Sequence, residues 1–196
     1  ETLYDLAVDA THVYFVANDG ASARLLRVAR SGGAIEEVST LPASPVGRLA
    51  LSPTQVYVHN GWSVTQTPKA GGQNVTFATV TAAFSRHPID VDGGIVYWAD
   101  GSDLFSAPEI GGPATLIASL PTLPDFFLAE SGYITYSSVV GSVIARVAVA
   151  GDAAPEILFE GPQTGGQSFA LDEQAFYWVD LAKSSLDRMA KPAPKP

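Results

Sequence analysis

Three aspartates sit at comparable places along the chain, Asp9, Asp92 and Asp172. Carboxylates gathered at one centre could share the acid, base and charge-stabilising work of glycoside hydrolysis. Their surroundings repeat as well, with an apolar run before each and a tyrosine five residues after, at Tyr14, Tyr97 and Tyr177. Equivalence of that kind predicts an acid that accepts turn N–H bonds, which is what Asp does at such positions. Asp100-Gly101-Ser102-Asp103 sets oxygen ligands close together, so calcium could find Asp100 and Asp103. The stretch lacks the length and carboxylate count of a dedicated calcium loop, and a polar hairpin turn is the expectation. His12, His59 and His87 share no metal-ligand spacing and stand beside no nucleophile motif. The sequence holds no phosphate-cradling loop, nucleophile elbow or metalloprotease helix. Asn74-Val75-Thr76 matches a glycosylation acceptor and reads better as the start of a strand. Nothing local argues for catalysis.

Composition says what must position these groups. Of 196 residues, 46% are hydrophobic and only 16% charged, enough apolar mass for a core and too little polarity for a disordered chain. The 18 glycines and 14 prolines are spread along the whole length, which implies many turns and points to an all-β protein. The net charge of −9 disfavours nucleic acid, which requires clustered cations, and equally disfavours an anionic membrane surface. The last sixteen residues run against that trend, with Lys183, Arg188, Lys191 and Lys195 among prolines, and read as a solvated end. No apolar run approaches the roughly 20 residues that span a bilayer, so no membrane insertion is expected. Absence of cysteine rules out disulfides, thiolate catalysis and Cys-ligated metal, and leaves the redox compartment open. The chain opens at Glu1 without Met, the expectation being a trimmed chain from which any signal peptide is gone.

The sequence repeats with a period near 40 residues, which marks a repeat architecture. The segments Leu6–Asp9, Leu49–Ser52, Ile89–Asp92, Phe127–Glu130 and Phe169–Asp172 align, followed by Tyr14, Tyr57, Tyr97, Thr135 and Tyr177. A second marker keeps step at Gly32-Gly33, Gly71-Gly72, Gly111-Gly112 and Gly151-Asp152. Within the third unit, Ile89–Val91, Ile95–Ala99, Leu104–Ala107 and Thr115–Ala118 read as strands separated by turn residues. Four short antiparallel strands per unit of about 40 residues make a β-propeller blade. The expectation is one all-β propeller domain over residues 1–190, with about five blades near 1–44, 45–84, 85–123, 124–163 and 164–190. Its first strands, being the most apolar, are expected to be buried on both faces. Pro192, Pro194 and Pro196 fall where the last blade's fourth strand belongs, and proline cannot donate to a ladder, so that blade should have three strands and end in a 191–196 Pro/Lys tail.

Val96-Tyr97-Trp98-Ala99-Asp100 and Phe176-Tyr177-Trp178-Val179-Asp180 resemble the Tyr-Trp-Thr-Asp repeats of low-density-lipoprotein-receptor-type propellers. They are also similar to the YWTD/NHL-like repeats of secreted bacterial propeller proteins. The other units carry weaker versions, Tyr14-Phe15-Val16-Ala17, Tyr57-Val58-His59-Asn60 and Thr135-Tyr136-Ser137-Ser138. The resemblance implies a propeller whose commonest role is protein binding, and an extracellular or periplasmic location. It brings no catalytic residue, and a fold by itself does not assign a function.

Recurrence of Tyr14, Tyr57, Tyr97 and Tyr177 with Trp98 and Trp178 at one slot predicts packing between blades rather than an aromatic ligand platform. Trp62 falls outside that slot, in the Asn60-Gly61-Trp62 turn, and is a candidate contact anchor. Longer connections at 41–48, 120–126 and 160–168 occupy one position in their repeats and put Pro42, Pro45, Pro121, Pro124, Asp125, Gly165 and Gly166 forward as candidate binding residues. The function expected is a non-catalytic binding or assembly module, its partner another protein or a surface glycan, with no cofactor. The alternative is a lectin-like or glycan-active propeller using central carboxylates or aromatics, and a third reading is a subunit of a larger assembly.

Overall fold

The computed structural model describes residues 2–18, 22–42, 47–82, 88–138, 140, 142–151, 154–161, 169–172, 174–180 and 183–191. Among them the chain is all-β, forming five small antiparallel meanders and no helix. The first sheet runs β1 (Thr2–Val8), β2 (His12–Asn18), β3 (Ala23–Ala29) and β4 (Glu36–Leu41). The second holds β5 (Arg48–Leu51), β6 (Gln55–His59), β7 (Ser63–Pro68) and β8 (Val75–Thr79), and the third β9 (Ile89–Asp92), β10 (Ile95–Asp100), β11 (Asp103–Pro108) and β12 (Thr115–Ser119). In the fourth are β13 (Phe126–Glu130), β14 (Tyr133–Ser138), β15 (Val143–Ala148) and β16 (Glu156–Glu160). The fifth has only β17 (Phe169–Leu171), β18 (Ala175–Asp180) and β19 (Ser185–Ala190). These are the five blades expected, the last with three strands. The chain divides into two compact units, Glu1–Ser119 with three sheets and Leu120–Pro196 with two.

The third-to-fourth strand hairpins explain the recurring glycine pair. Gly32 and Gly33 have φ of 85° and 132°, Gly71 and Gly72 have 89° and 133°, and Gly111 and Gly112 have 90° and 145°. Two successive residues in that region exclude any side chain without strain, so the pair recurs.

Burial corrects one expectation. The first strands are the most apolar, yet the second strands are the most buried: β6, β10 and β14 are buried over nearly their whole lengths. By contrast β1 is largely exposed, and β13 buries Phe127 alone. A second strand has ladder partners on both sides, whereas a first strand is an edge of its own sheet and keeps one side open.

Packing within the first unit follows the repeat. Tyr14, Val16 and Leu25 of the first sheet bury against Leu49, Val56 and Val58 of the second. Tyr57 and Val64 of the second sheet bury in turn with Ile89, Val96 and Trp98 of the third. In this unit the tyrosine face of one sheet is thus received by the next on the residues before and after its own tyrosine. In the second unit Ile144 meets Phe176 and Trp178, with Phe159 tilted on the Trp178 ring 4.9 Å away.

Candidate functional site

In a four-stranded meander the turn between the second and third strands lies at the same end as the connection that leaves the sheet. The aspartate-slot turn between the first two strands lies at the other. The candidate residues therefore sort by end.

At the aspartate end, the Asp9 carboxylate accepts the N–H of Thr11 at 2.8 Å and of His12 at 2.9 Å. The Ser52 hydroxyl accepts from the Gln55 N–H at 3.0 Å, and Asp172 accepts from Gln174 and Ala175 at 2.8 Å each and from the Tyr177 hydroxyl at 2.8 Å. These side chains hold turns, as their equivalence predicts. They also do something that sequence reasoning missed. Lys69 Nζ reaches across from the second sheet to Asp9 at 2.7 Å and lies over the Tyr14 ring. Ser52 donates to Glu109 of the third sheet, and Lys191 of the fifth sheet pairs with Glu130 of the fourth. Burial pushes the Asp9 carboxyl up, but the Lys69 ammonium and the two turn N–H groups outweigh it and hold the acid well below its ordinary value. A signal was present in the sequence: Lys69 and Glu109 each stand two residues before a glycine pair.

At the connection end, Trp62 is 55% exposed. Its backbone is fixed nonetheless. Asn60 Oδ1 accepts the N–H of Trp62 at 3.1 Å and of Ser63 at 2.8 Å, while the Val80 N–H donates to the Trp62 carbonyl at 2.9 Å. Beneath it His59 is fully buried. The Gly61 N–H donates to its Nδ1 at 3.2 Å, which leaves the proton on Nε2 to be donated to the Ala99 carbonyl at 2.8 Å. The ring ties the second sheet to the third through both its nitrogens, neither of which is offered to a metal.

Asp100 is committed as well. One oxygen accepts the Thr81 N–H at 2.9 Å and hydroxyl at 2.8 Å, and the other the Ala82 N–H at 2.6 Å. Burial raises this acid, and these bonds more than compensate, so the net shift is downward. Asp103 pairs by backbone with Asp100 and Ser119 and is half-buried. Among the described residues no three His, Asp or Glu side chains form a group able to hold a metal ion.

The remaining candidates divide. Pro42 and Pro121 are exposed, while Pro124 and Asp125 are buried, the Asp125 N–H donating to Ser137 at 2.9 Å. These last two anchor their connection instead of presenting it. Pro45, Gly165 and Gly166 lie outside the described residues, as does His87. The recurring aromatics pack: Tyr57 meets the edge of Phe77, Phe77 the edge of Trp98, and Trp98 stacks on Phe105 at 5.9 Å. Around them a pocket of about 160 Å³ is lined by Phe77, Trp98, Phe105 and Asp100. That falls below the few hundred Å³ usual for a small-molecule site.

No protein-family model matches the chain, and no curated protein matches it in sequence. Solved structures do resemble it. A chain of a nidogen–laminin complex superposes with a TM-score of 0.80 at 16% identity, over 96% of this chain and 75% of that one. A streptogramin B lyase gives 0.74 at 14% identity, over 98% and 70%. Virginiamycin B lyase from Staphylococcus aureus gives 0.73 at 15% identity, over 98% and 71%. At such identities the likeness shows the fold, a β-propeller, shared by a chain found in a protein complex and by enzymes.

Proposed function

We propose that the chain is a non-catalytic binding module that engages another protein at the connection end of its second sheet, with Trp62 as the anchor. The observation that carries this reading is a large aromatic held more than half exposed on a backbone fixed by three hydrogen bonds. Such a side chain gives up little conformational freedom on binding and offers extensive apolar contact. Support also comes from the likeness to a chain seen in a nidogen–laminin complex. The carboxylates of Asp9 and Asp172 hold their own turns, which disfavours a glycosidase built on Asp9, Asp92 and Asp172. Location outside the cytoplasm belongs to the same reading and rests on the repeat resemblance alone.

The test is affinity capture from the source cells and their medium with immobilised wild type and Trp62→Ala, followed by titration of any captured protein. The variant should keep wild-type stability, since the indole is exposed, and bind at least tenfold more weakly, the loss of about 1.4 kcal/mol expected of a modest anchor. Equal affinity of the two proteins would remove Trp62 from the site. A surface glycan is the second reading, favoured by the same indole, which suits stacking on a sugar ring. Thermal stabilisation of wild type, but not of the variant, by a glycan panel would select it.

A further inference from the structure

Phe77, Trp98 and Phe105 do more than pack on one another, since all three line the pocket between the second and third sheets and share it with the Asp100 carboxylate. We infer that this pocket binds a methylated ammonium head group, the rings supplying cation–π attraction and Asp100 the countercharge. Trp62 does not line it, so the two sites stand or fall separately.

Ring geometry favours a cation over a neutral guest. Trp98 and Phe105 pair across β10 and β11 and are nearly parallel, 18° apart with centroids separated by 5.9 Å, so they form one extended wall. Phe77 of β8 stands to the Trp98 ring at 84°. Such an aromatic corner attracts ammonium groups through the ring quadrupoles, most strongly when the cation sheds its water, as a methylated nitrogen readily does. Asp100 adds charge. Its three donors, the Thr81 N–H and hydroxyl and the Ala82 N–H, are all neutral. The carboxylate therefore keeps its negative charge, and among the described residues no lysine or arginine pairs with it. Volume limits the guest. The pocket of about 160 Å³ is too small for a drug-sized ligand, but a cavity of about 150 Å³ takes benzene, so a trimethylammonium head fits.

The contact between the first and second sheets shows that the repeat alone does not make this pocket. There the places of Phe77, Trp98 and Phe105 are held by Val38, Val58 and Thr65. Val38 and Phe77 are each the bulged residue of a fourth strand, and Val58 pairs with Thr65 as Trp98 does with Phe105. Asn74, the second residue after a glycine pair, reaches across that contact and donates to the Ser39 hydroxyl at 3.2 Å and the Thr40 carbonyl at 2.6 Å. Between the second and third sheets the same places hold Ala114, Ala78 and Thr79, so a methyl group stands where the bridging amide was. All three line the pocket, and Thr79 and Ala114 are exposed, which leaves it open to solvent. Aromatic walls, an uncancelled charge and an unbridged mouth thus coincide at one contact.

Isothermal titration calorimetry of the full 196-residue chain tests this with choline, its uncharged carbon isostere and a short peptide carrying trimethyllysine. Choline or the peptide should bind saturably, and choline at least about tenfold more tightly than the isostere. Binding of choline alone identifies a free small cation as the ligand, and binding of the peptide a modified protein; either supports the site. Phe105→Leu, which keeps an apolar wall without a quadrupole, should weaken the bound cation about fivefold. Ala114→Asn restores the bridge of the neighbouring contact at an exposed position and should abolish binding with thermal stability unchanged. Trp62→Ala should bind as wild type does. Heats no larger than dilution for both cations overturn the inference, and so does an isostere that binds as tightly as choline. Binding that survives Ala114→Asn, ignores Phe105→Leu or falls with Trp62→Ala puts the cation elsewhere and overturns it equally.

Discussion

The two units build the same sheet by different local means. In the first, turns that enter the left-handed region use glycine, as at Gly93 with φ 57°. In the second, Ser131, Ser142 and Ser184 adopt that region at φ of 53°, 50° and 52°. Among the described residues aromatic packing differs in extent too. The first unit runs an unbroken series from Tyr57 through Phe77 and Trp98 to Phe105, whereas the second has Trp178 on Phe159 within a smaller group of fully buried residues. Register and topology are common to both, so the meander tolerates strained turns and a thinner core where sheet-to-sheet contacts remain. Stability should therefore be unevenly shared, with the second unit the weaker.

Truncating the central aromatics gives the largest expected separation. Trp98 is 2% exposed between two aromatic rings, and Trp98→Ala should cost about 4 kcal/mol, in the range for large core truncations. Trp178→Ala should cost less, about 3 kcal/mol, because its surroundings are already partly exposed. Urea titration followed by far-ultraviolet circular dichroism measures both. A larger loss for Trp178→Ala would reverse the ranking of the units.

Next in size are the ties between sheets. Lys69 is mostly buried and bonds an acid that also holds a turn, so Lys69→Met should cost about 1–2 kcal/mol at neutral pH. Glu130, the partner of Lys191, is more exposed, and solvent screening should hold the loss in Lys191→Met below about 1 kcal/mol. pH sharpens the contrast. The folded Asp9 carboxyl lies below its unfolded value of 3.8, so its stabilisation is complete above about pH 4 and is lost as pH falls through the folded value. The gap between wild type and Lys69→Met should be constant from pH 7 to 5 and shrink in stronger acid. A gap that widens in acid would mean that Lys69 acts by packing alone.

Such ties mark the border of what the sequence made legible. Strand positions and the five units follow from the spacing of Asp9, Tyr14 and Gly32-Gly33 and their copies, and the three-stranded last blade from Pro192, Pro194 and Pro196, because turn chemistry and alternation act over a few residues. Lys69 to Asp9 spans 60 residues, and a pairing that distant is set by how one sheet seats on the next, which no local pattern encodes. The same limit applies to burial: Leu6 and Leu49 look alike in sequence, yet Leu6 is 60% exposed and Leu49 only 7%. Trp62 was legible as an oddity because it broke the repeat, whereas Pro124 and Asp125 looked like surface loop and turned out to be its buried anchor.

The smallest effects test the turn comparison itself. Gly93 and Ser131 occupy one position in neighbouring repeats with nearly the same φ, and nothing lies within 4 Å of a Cβ built on Gly93. The cost of a side chain there is therefore backbone strain without a clash. Gly93→Ala should destabilise by about 1 kcal/mol, the penalty for an L-residue in the left-handed region. Ser131→Gly relieves the same strain but gives the unfolded chain more freedom, so its gain should stay under about 1 kcal/mol. Thermal melts of the two variants should move in opposite directions, with the glycine loss the larger. If both moved downward, the serine side chain would be contributing a bond that outweighs its strain, and the second unit's turns would be adapted to serine and not merely tolerant of it.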